Sequence, residues 1–365
     1  MQPSIHSRIP ALDGVRGLAT LTVLVSHFLF QDIYGQEWWW GVVQSGWMGV
    51  DLFFVLSGFL ITGILVQKKG KPHYFRSFYW RRLLRIFPLY YLAILFSAFA
   101  ILVIDQQPHR LHDGYNSLLY YVFFIPNIAM ALGNEWAWQT NWVGLAHLWS
   151  LAVEEQYYLV WPLVVYGLPR KWLIPLCVGI LFSGPFLRSQ TDLVFGEHSL
   201  ASYMLPYCRM DGLAAGSLLA LLRLSGKLSF TNWQRALIRD LGFGAGMVVF
   251  YTLIAIDTTW RDFFIAVLFF ALVYLSMSPT GWVKRFCELP FLMHIGKYSY
   301  GMYIFHQMFR VLFENLLKIP LLETGLPTAL VQVVYILLTV GISYGLARLS
   351  WHFIESRFLA MKDRY

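Results

Sequence analysis

Long apolar runs alternate with short polar connections along the whole chain. The runs fall at about 12–31, 47–66, 85–104, 145–166, 172–188, 203–222, 240–256, 262–278, 291–313 and 328–348. An apolar helix of about 20 residues crosses a bilayer. The runs are continuous and do not alternate in ten-residue strands, which excludes an outer-membrane barrel. They predict an all-α integral membrane protein with about ten transmembrane helices. A further apolar segment, Ser117 to Leu132, is interrupted by Pro126 and Asn127. It is read as a re-entrant or surface-lying element.

Basic residues orient these spans, because cytoplasmic loops are rich in Lys and Arg. The connection Gln31 to Gly46 holds Asp32 and Glu37 and no basic residue, whereas Gln67 to Arg85 holds Lys68, Lys69, Lys71, Arg76, Arg81, Arg82 and Arg85. The second connection and both termini are therefore placed in the cytoplasm. Arg170–Lys171, Arg223 to Arg239 and Lys284–Arg285 agree if 117–132 does not cross. The tail, 349–365, mixes Phe353, Ile354 and Phe358 with Arg357, Lys362 and Arg364 and reads as a cytoplasmic interfacial helix. The whole chain is taken as a single membrane domain.

Composition supports this class. The 365 residues are 58% hydrophobic and 13% charged, against roughly 25% charged in soluble proteins. The net charge of +8 is accounted for by basic cytoplasmic loops; nucleic acid is not an expected partner. Cys177, Cys208 and Cys287 lie in or near apolar segments, without metal spacing or a disulfide framework.

The ionisable residues inside the spans carry the candidate chemistry, because burying them is costly. The first span places Arg16 and His27 eleven steps apart. At about 100° and 1.5 Å per residue they share a face and lie about 16 Å apart. An imidazole suits proton transfer near neutral pH. Asp51, Glu154, Glu155, Arg209 and His306 fall at a similar level in the outer half of the membrane, with Asp211 beside Arg209 and Tyr158 on the helical face of His147 and Glu154. Helix-pairing ion pairs account for any one of these. The whole set points to a water-accessible site. At the cytoplasmic end, Arg82 and Arg85 share a face and Arg16 lies at a similar depth. Guanidinium groups bind phosphate bidentately, although the positive-inside signal explains such residues equally well. A basic inner mouth and an outer histidine–carboxylate cluster suggest a reaction across the membrane.

Several ordered blocks then carry a resemblance: LDGVRGLATLTVLVSH, GVDLFFVLSGFLIT, RRLLRIFPLYYL, HLWSLAVEEQYYLVWP, RMDGLAAG and IGKYSYGMYIFH. Together they resemble the acyltransferase-3 family of bacterial integral-membrane O-acyltransferases, from about Ile9 to Leu359. The family's Arg–ten–His motif falls on Arg16 and His27, its R-x-x-R motif on Arg82 and Arg85, and its E-x-x-Y motif on Glu155 and Tyr158. The resemblance implies ten helices in the bacterial inner membrane. It also implies transfer of an acyl group, most often acetyl, from acyl-coenzyme A to a hydroxyl, usually of a glycan such as an exopolysaccharide or lipopolysaccharide sugar. Some members carry a fused esterase-like domain, which is not expected here. The terminal I-E-S-R-F-L has Arg357 where the family pattern has proline.

On this reading Arg82, Arg85 and Arg16 hold coenzyme A phosphates. His27 acts as general base or, alternatively, as a transient acyl carrier. Glu154, Glu155 or Asp51 orients His27, and Arg209, Tyr158 or His306 stabilises the oxyanion. The acceptor is a glycan or lipid-linked sugar, and no metal is required. The rival expectation is a transporter or flippase of a lipid-linked sugar, against which stand the absence of internal repeats and a basic mouth on one side only.

Overall fold

The computed structural model describes residues 9–29, 41, 43–105, 117–136, 142–197, 199–226, 237, 239–247 and 259–361, which are helical and contain no strand. Residues 31–40, 248–256, Lys362 and Arg364 lie outside the described residues, and with them most of the first connection, the second half of the run read at 240–256, and the end of the tail. Among the described residues, four helical runs are long and apolar enough to cross a membrane: Ser45–Lys68, Tyr74–Ile104, Arg170–Phe195 and Thr328–Leu359.

The principal helices are α1 (Pro10–His27), α2 (Gly49–Lys68), α3 (Tyr74–Phe99), α4 (Leu118–Val122), α5 (Pro126–Gly133), α6 (Leu148–Gly167), α7 (Arg170–Phe195), α8 (Pro206–Leu224), α9 (Arg261–Ser276), α10 (Pro290–Met308) and α11 (Thr328–Ser350). Two boundaries differ from the apolar runs. Helix α3 begins eleven residues before the run at 85, so Arg81, Arg82 and Arg85 project from an established helix. Phe75, Phe78, Tyr79 and Trp80 lie in these added turns, with Phe78 buried. Helix α11 runs on without a break to Leu359, and Glu355 in its extension is buried while Phe353 and Phe358 are exposed.

The segment after Ser117 forms two short helices. Ser117 Oγ accepts the Leu119 N–H at 3.3 Å to start α4. Phe124 at φ 56° breaks the path, and Pro126 opens α5, where a missing N–H costs nothing. Helices of five and eight residues span about 8 and 12 Å, well short of a hydrocarbon core of about 30 Å.

The chain divides into two compact units. The first comprises Met1–Leu21, Met48–Tyr74 and Gln156–Lys297; the second comprises Thr22–Trp47, Phe75–Glu155 and Tyr298–Tyr365.

In the first unit, helices meet backbone to backbone. A Cβ on Gly58 would lie 2.0 Å from the Leu213 carbonyl oxygen, and one on Gly216 would lie 1.9 Å from that of Val55. Small residues allow this approach, which lipid-embedded helices use for packing. A hydroxyl cluster fills the same contact. Trp161 Nε1 donates to Thr62 Oγ1 at 2.8 Å, Thr62 Oγ1 to Ser217 Oγ at 2.9 Å, and Tyr157 OH lies 2.8 Å from Ser217 Oγ. Lys69 Nζ donates to the Val165 and Leu168 carbonyls at 2.8 and 2.6 Å, capping the end of α6.

In the second unit, tyrosines tie α3 to its neighbours. Tyr90 OH donates to the Tyr121 carbonyl at 2.7 Å, Tyr91 OH to Val122 at 3.0 Å, and Tyr300 OH to Ile86 at 2.7 Å. Phe124, turned inward by its positive φ, stacks on Tyr90 with centroids 4.2 Å apart.

Candidate active site

The second unit gathers three histidines. His27 ends α1, and its Nδ1 lies 3.0 Å from Nε2 of His306 on α10. The two rings are nearly parallel, 6° apart with centroids at 5.2 Å. His306 Nδ1 lies 2.6 Å from the carbonyl oxygen of Tyr303, one turn back on α10. His147, just before α6, stands edge to face on His306 at 5.4 Å and on Tyr303 at 5.3 Å. Tyr303 OH donates to the His147 carbonyl at 3.0 Å and lies 2.6 Å from Ser150 Oγ.

Burial grades across this cluster. His306 is fully buried and His147 is 4% exposed, whereas His27 is half-buried. Both His147 ring nitrogens are sealed from solvent without a hydrogen bond of good geometry. Phe28 packs edge-on against His306 at 6.2 Å and against Tyr335 at 5.8 Å, and Gln332 Nε2 holds the Phe28 carbonyl at 3.0 Å. The cluster thus has an apolar floor. Arg310, its Nε 3.0 Å from Glu314 Oε1, is within electrostatic range of His27.

The same unit holds a second cluster. Glu155 has a buried, unmet Oε1 and lies in the field of Glu154 and Arg82. Glu355 accepts from Ser350 Oγ at 3.0 Å, would lie 3.5 Å from a Cβ on Gly301, and is in the field of Arg85. Tyr300 is within range of Glu155, Glu355 and Arg85. Arg82 and Arg85 therefore stand among carboxylates. Tyr300 and His306 are six residues apart on α10, which sets the two clusters about 9 Å apart along it.

The remaining candidates belong to the first unit. Arg209 Nη2 binds Asp51 Oδ1 at 2.5 Å and its Nη1 binds Asp262 Oδ2 at 2.8 Å. Arg188 Nη1 binds Asp211 Oδ2 at 2.8 Å and the Cys208 carbonyl at 2.6 Å. All five charged side chains are at most 6% exposed. The Arg209 guanidinium also lies over the Tyr203 ring at 5.0 Å. Arg16 pairs with Asp13 at 3.0 Å, and Tyr158 OH bonds Ser57 Oγ.

The family profile described as an acyltransferase domain matches residues 9–348. The chain belongs to the acyltransferase-3 family. It is 28% identical over 370 residues to a Staphylococcus aureus protein named "Putative O-acetyltransferase", covering 96% of this chain and 57% of that one. It is 29% identical over 377 residues to YrhL of Bacillus subtilis, named "Putative peptidoglycan O-acetyltransferase", covering 96% of this chain and 55% of the relative. It is 27% identical over 370 residues to the peptidoglycan O-acetyltransferase OatA of Listeria monocytogenes, covering 95% and 55%. The chain thus spans little more than half the length of these relatives. No solved structure matches it significantly.

The acyltransferase-3 blocks acquire distinct physical meanings. GVDLFFVLSGFLIT and RMDGLAAG meet through Gly58 and Gly216, and through Asp51 and Arg209. LDGVRGLATLTVLVSH and IGKYSYGMYIFH supply His27 and His306. Among the described residues, His27 makes its one hydrogen bond to His306. The sequence reading offered Glu154, Glu155 or Asp51 as the group beside His27; the structure places His306 there, and Asp51 bonds Arg209. Sequence reasoning also passed over the buried Glu355 and the contact of His147 with His306. The Tyr303–His306 spacing of one turn was the available signal for a ring bonded to its own helix. Nothing in sequence could pair α10 with α1.

Proposed function

We propose that the protein is a membrane-bound O-acyltransferase that moves an acyl group, acetyl in the first instance, from acyl-coenzyme A to a glycan hydroxyl. Peptidoglycan, exopolysaccharide and lipopolysaccharide sugars are the candidate acceptors. The protein resides in the bacterial cytoplasmic membrane with ten crossings and both termini in the cytoplasm. The observation that carries this reading is the half-buried His27, hydrogen-bonded from behind by His306, in the unit that also holds Arg82 and Arg85. Arg82 and Arg85 bind the donor's phosphates, and Glu155 and Glu355 set the pose of the two arginines. His27 takes the proton of the acceptor hydroxyl as its oxygen attacks the thioester carbonyl. The C–O bond forms, the C–S bond breaks, and the thiolate leaves with that proton. Arg209, Asp51 and Tyr158 support the fold of the first unit.

The test is mass spectrometry of envelope and secreted glycans from a deletion strain, the restored wild type and the restored His27→Ala variant. An ester present only with the wild type supports the reading and identifies the acyl group. Unchanged glycans in all three strains, without release of coenzyme A thiol by the purified protein, would return the transporter reading.

The double variant Arg82→Ala, Arg85→Ala is expected to weaken donor binding at least about 10-fold, because charge-assisted bonds to phosphate contribute about 1.5–3 kcal/mol each. Isothermal titration with coenzyme A reads this directly. Unaltered affinity would move the donor site elsewhere.

A further inference from the structure

The base proposed above has two nitrogens, and the contacts behind it decide which one is available. Only an N–H can donate to a carbonyl oxygen, so the 2.6 Å contact from His306 Nδ1 to the Tyr303 carbonyl places the His306 proton on Nδ1. In the neutral ring this leaves Nε2 of His306 as an acceptor. Its partner at 3.0 Å, His27 Nδ1, must then be the donor. With its proton on Nδ1, the neutral His27 ring carries its lone pair on Nε2, the nitrogen that makes no bond to the protein.

We propose that His306 is a positioning residue that fixes His27 in the Nδ1–H tautomer, so that Nε2 of His27 is the base that receives the acceptor hydroxyl's proton. This deepens the acyl-transfer reading and rests on it. The arrangement follows the logic of a base whose second ring nitrogen is held by an orienting acceptor, a place taken by a carboxylate in serine-protease triads and here by a neutral imidazole backed by a peptide carbonyl. When His27 takes a proton on Nε2 it becomes a cation with both nitrogens protonated. Nε2 of His306 still accepts from Nδ1 and lowers the cost of that charge next to Arg310. When the thiolate leaves, the proton passes from Nε2 to sulfur and the starting tautomer returns. His306 is not an oxyanion donor in this scheme, because its one N–H is spent on Tyr303.

The geometry also explains why the ring cannot rotate out of this role. His306 is fully buried, with Phe28 on one side and His147 and Tyr303 on the other. Tyr303 is itself held through its hydroxyl by the His147 carbonyl and Ser150. A flipped ring would place carbon atoms against the Tyr303 carbonyl and against His27, losing both bonds.

The experiment compares His306→Gln and His306→Leu in lipid nanodiscs with purified acyl donor and acceptor. A glutamine amide can accept from His27 through its oxygen and donate to Tyr303 through its nitrogen, keeping both polarities. Leucine removes the acceptor. The expected result is a fall in kcat of at least about 10²-fold for His306→Leu, with KM for both substrates within about twofold, and recovery to within about tenfold of wild type for His306→Gln. Alongside, solid-state 15N spectra of histidine-labelled protein are compared with those of His27→Ala to isolate the His27 signals. Wild type is expected to show His27 protonated on Nδ1, and His306→Leu to show it protonated mainly on Nε2. Equal turnover of the two His306 variants, or a wild-type His27 protonated on Nε2, overturns the proposal. The wild-type spectrum decides the matter even where His306→Leu does not fold. Full turnover of His27→Ala would instead sink the base assignment itself and leave the tautomer assignment to the spectrum.

Discussion

His27→Ala is expected to abolish acyl transfer while leaving a folded, membrane-inserted protein. A positioned general base contributes about 10²–10⁴-fold to a proton-transfer step, and His27 is the half-buried member of a histidine cluster whose other rings are sealed. Its contribution to folding is small by comparison. It makes one hydrogen bond, to His306, and removing it leaves one buried acceptor unmet at a cost of about 1–3 kcal/mol. His27→Gln separates the two effects, because an amide N–H can restore the bond to His306 but cannot take up a proton near neutral pH. Both variants are expected to be inactive by release of coenzyme A thiol, with the glutamine variant closer to wild-type Tm. Wild-type turnover by either purified variant would remove His27 from the chemistry.

Arg209→Leu is expected to have the largest effect on stability. Arg209 is fully buried and bridges Asp51 and Asp262 through separate nitrogens at 2.5 and 2.8 Å. Deleting the guanidinium leaves Asp51 buried without its cation, while Asp262 keeps Arg261 Nε at 3.4 Å and Arg188 Nε at 3.9 Å. Breaking such a pair from one side costs about 3–5 kcal/mol, enough to prevent accumulation of a marginally stable protein. Arg209→Lys is expected to recover little, because a single ammonium cannot reproduce a fork that reaches two carboxylates. The double variant Arg209→Leu, Asp51→Asn is expected to be more stable than Arg209→Leu alone, since it removes the carboxylate left without a cation. Thermal unfolding in detergent and membrane yield read all three. A fully stable Arg209→Leu protein that had lost turnover would instead place Arg209 in the reaction, as the sequence reading allowed.

These two residues illustrate how charges of one class divide once the fold is known. In sequence, Asp51, Arg209, His27 and His306 are alike: ionisable side chains in apolar helices, each too costly to bury without a partner. The partner decides the role. Arg209 finds carboxylates and becomes a buried brace in the first unit. His27 finds a neutral acceptor, keeps one nitrogen open, and is suited to carry protons in the second. Partner choice is a long-range property, joining α2 to α8 in one case and α1 to α10 in the other, and no local pattern encodes it.

The sequence by itself determined the all-helical membrane class, because runs of about 20 apolar residues admit few other structures. Its ordered motifs also identified the family, and Pro126 after Ser117 marked a segment unable to cross in one helix. What tertiary structure decided was contact. Helix α3 starts eleven residues before its apolar run, and Glu355 is buried in the stretch where α11 continues past the end of its own apolar run. The tautomer of His27 is set by a carbonyl on α10, two hydrogen bonds away. Periodicity reports which face of a helix a residue occupies; it does not report what that face meets.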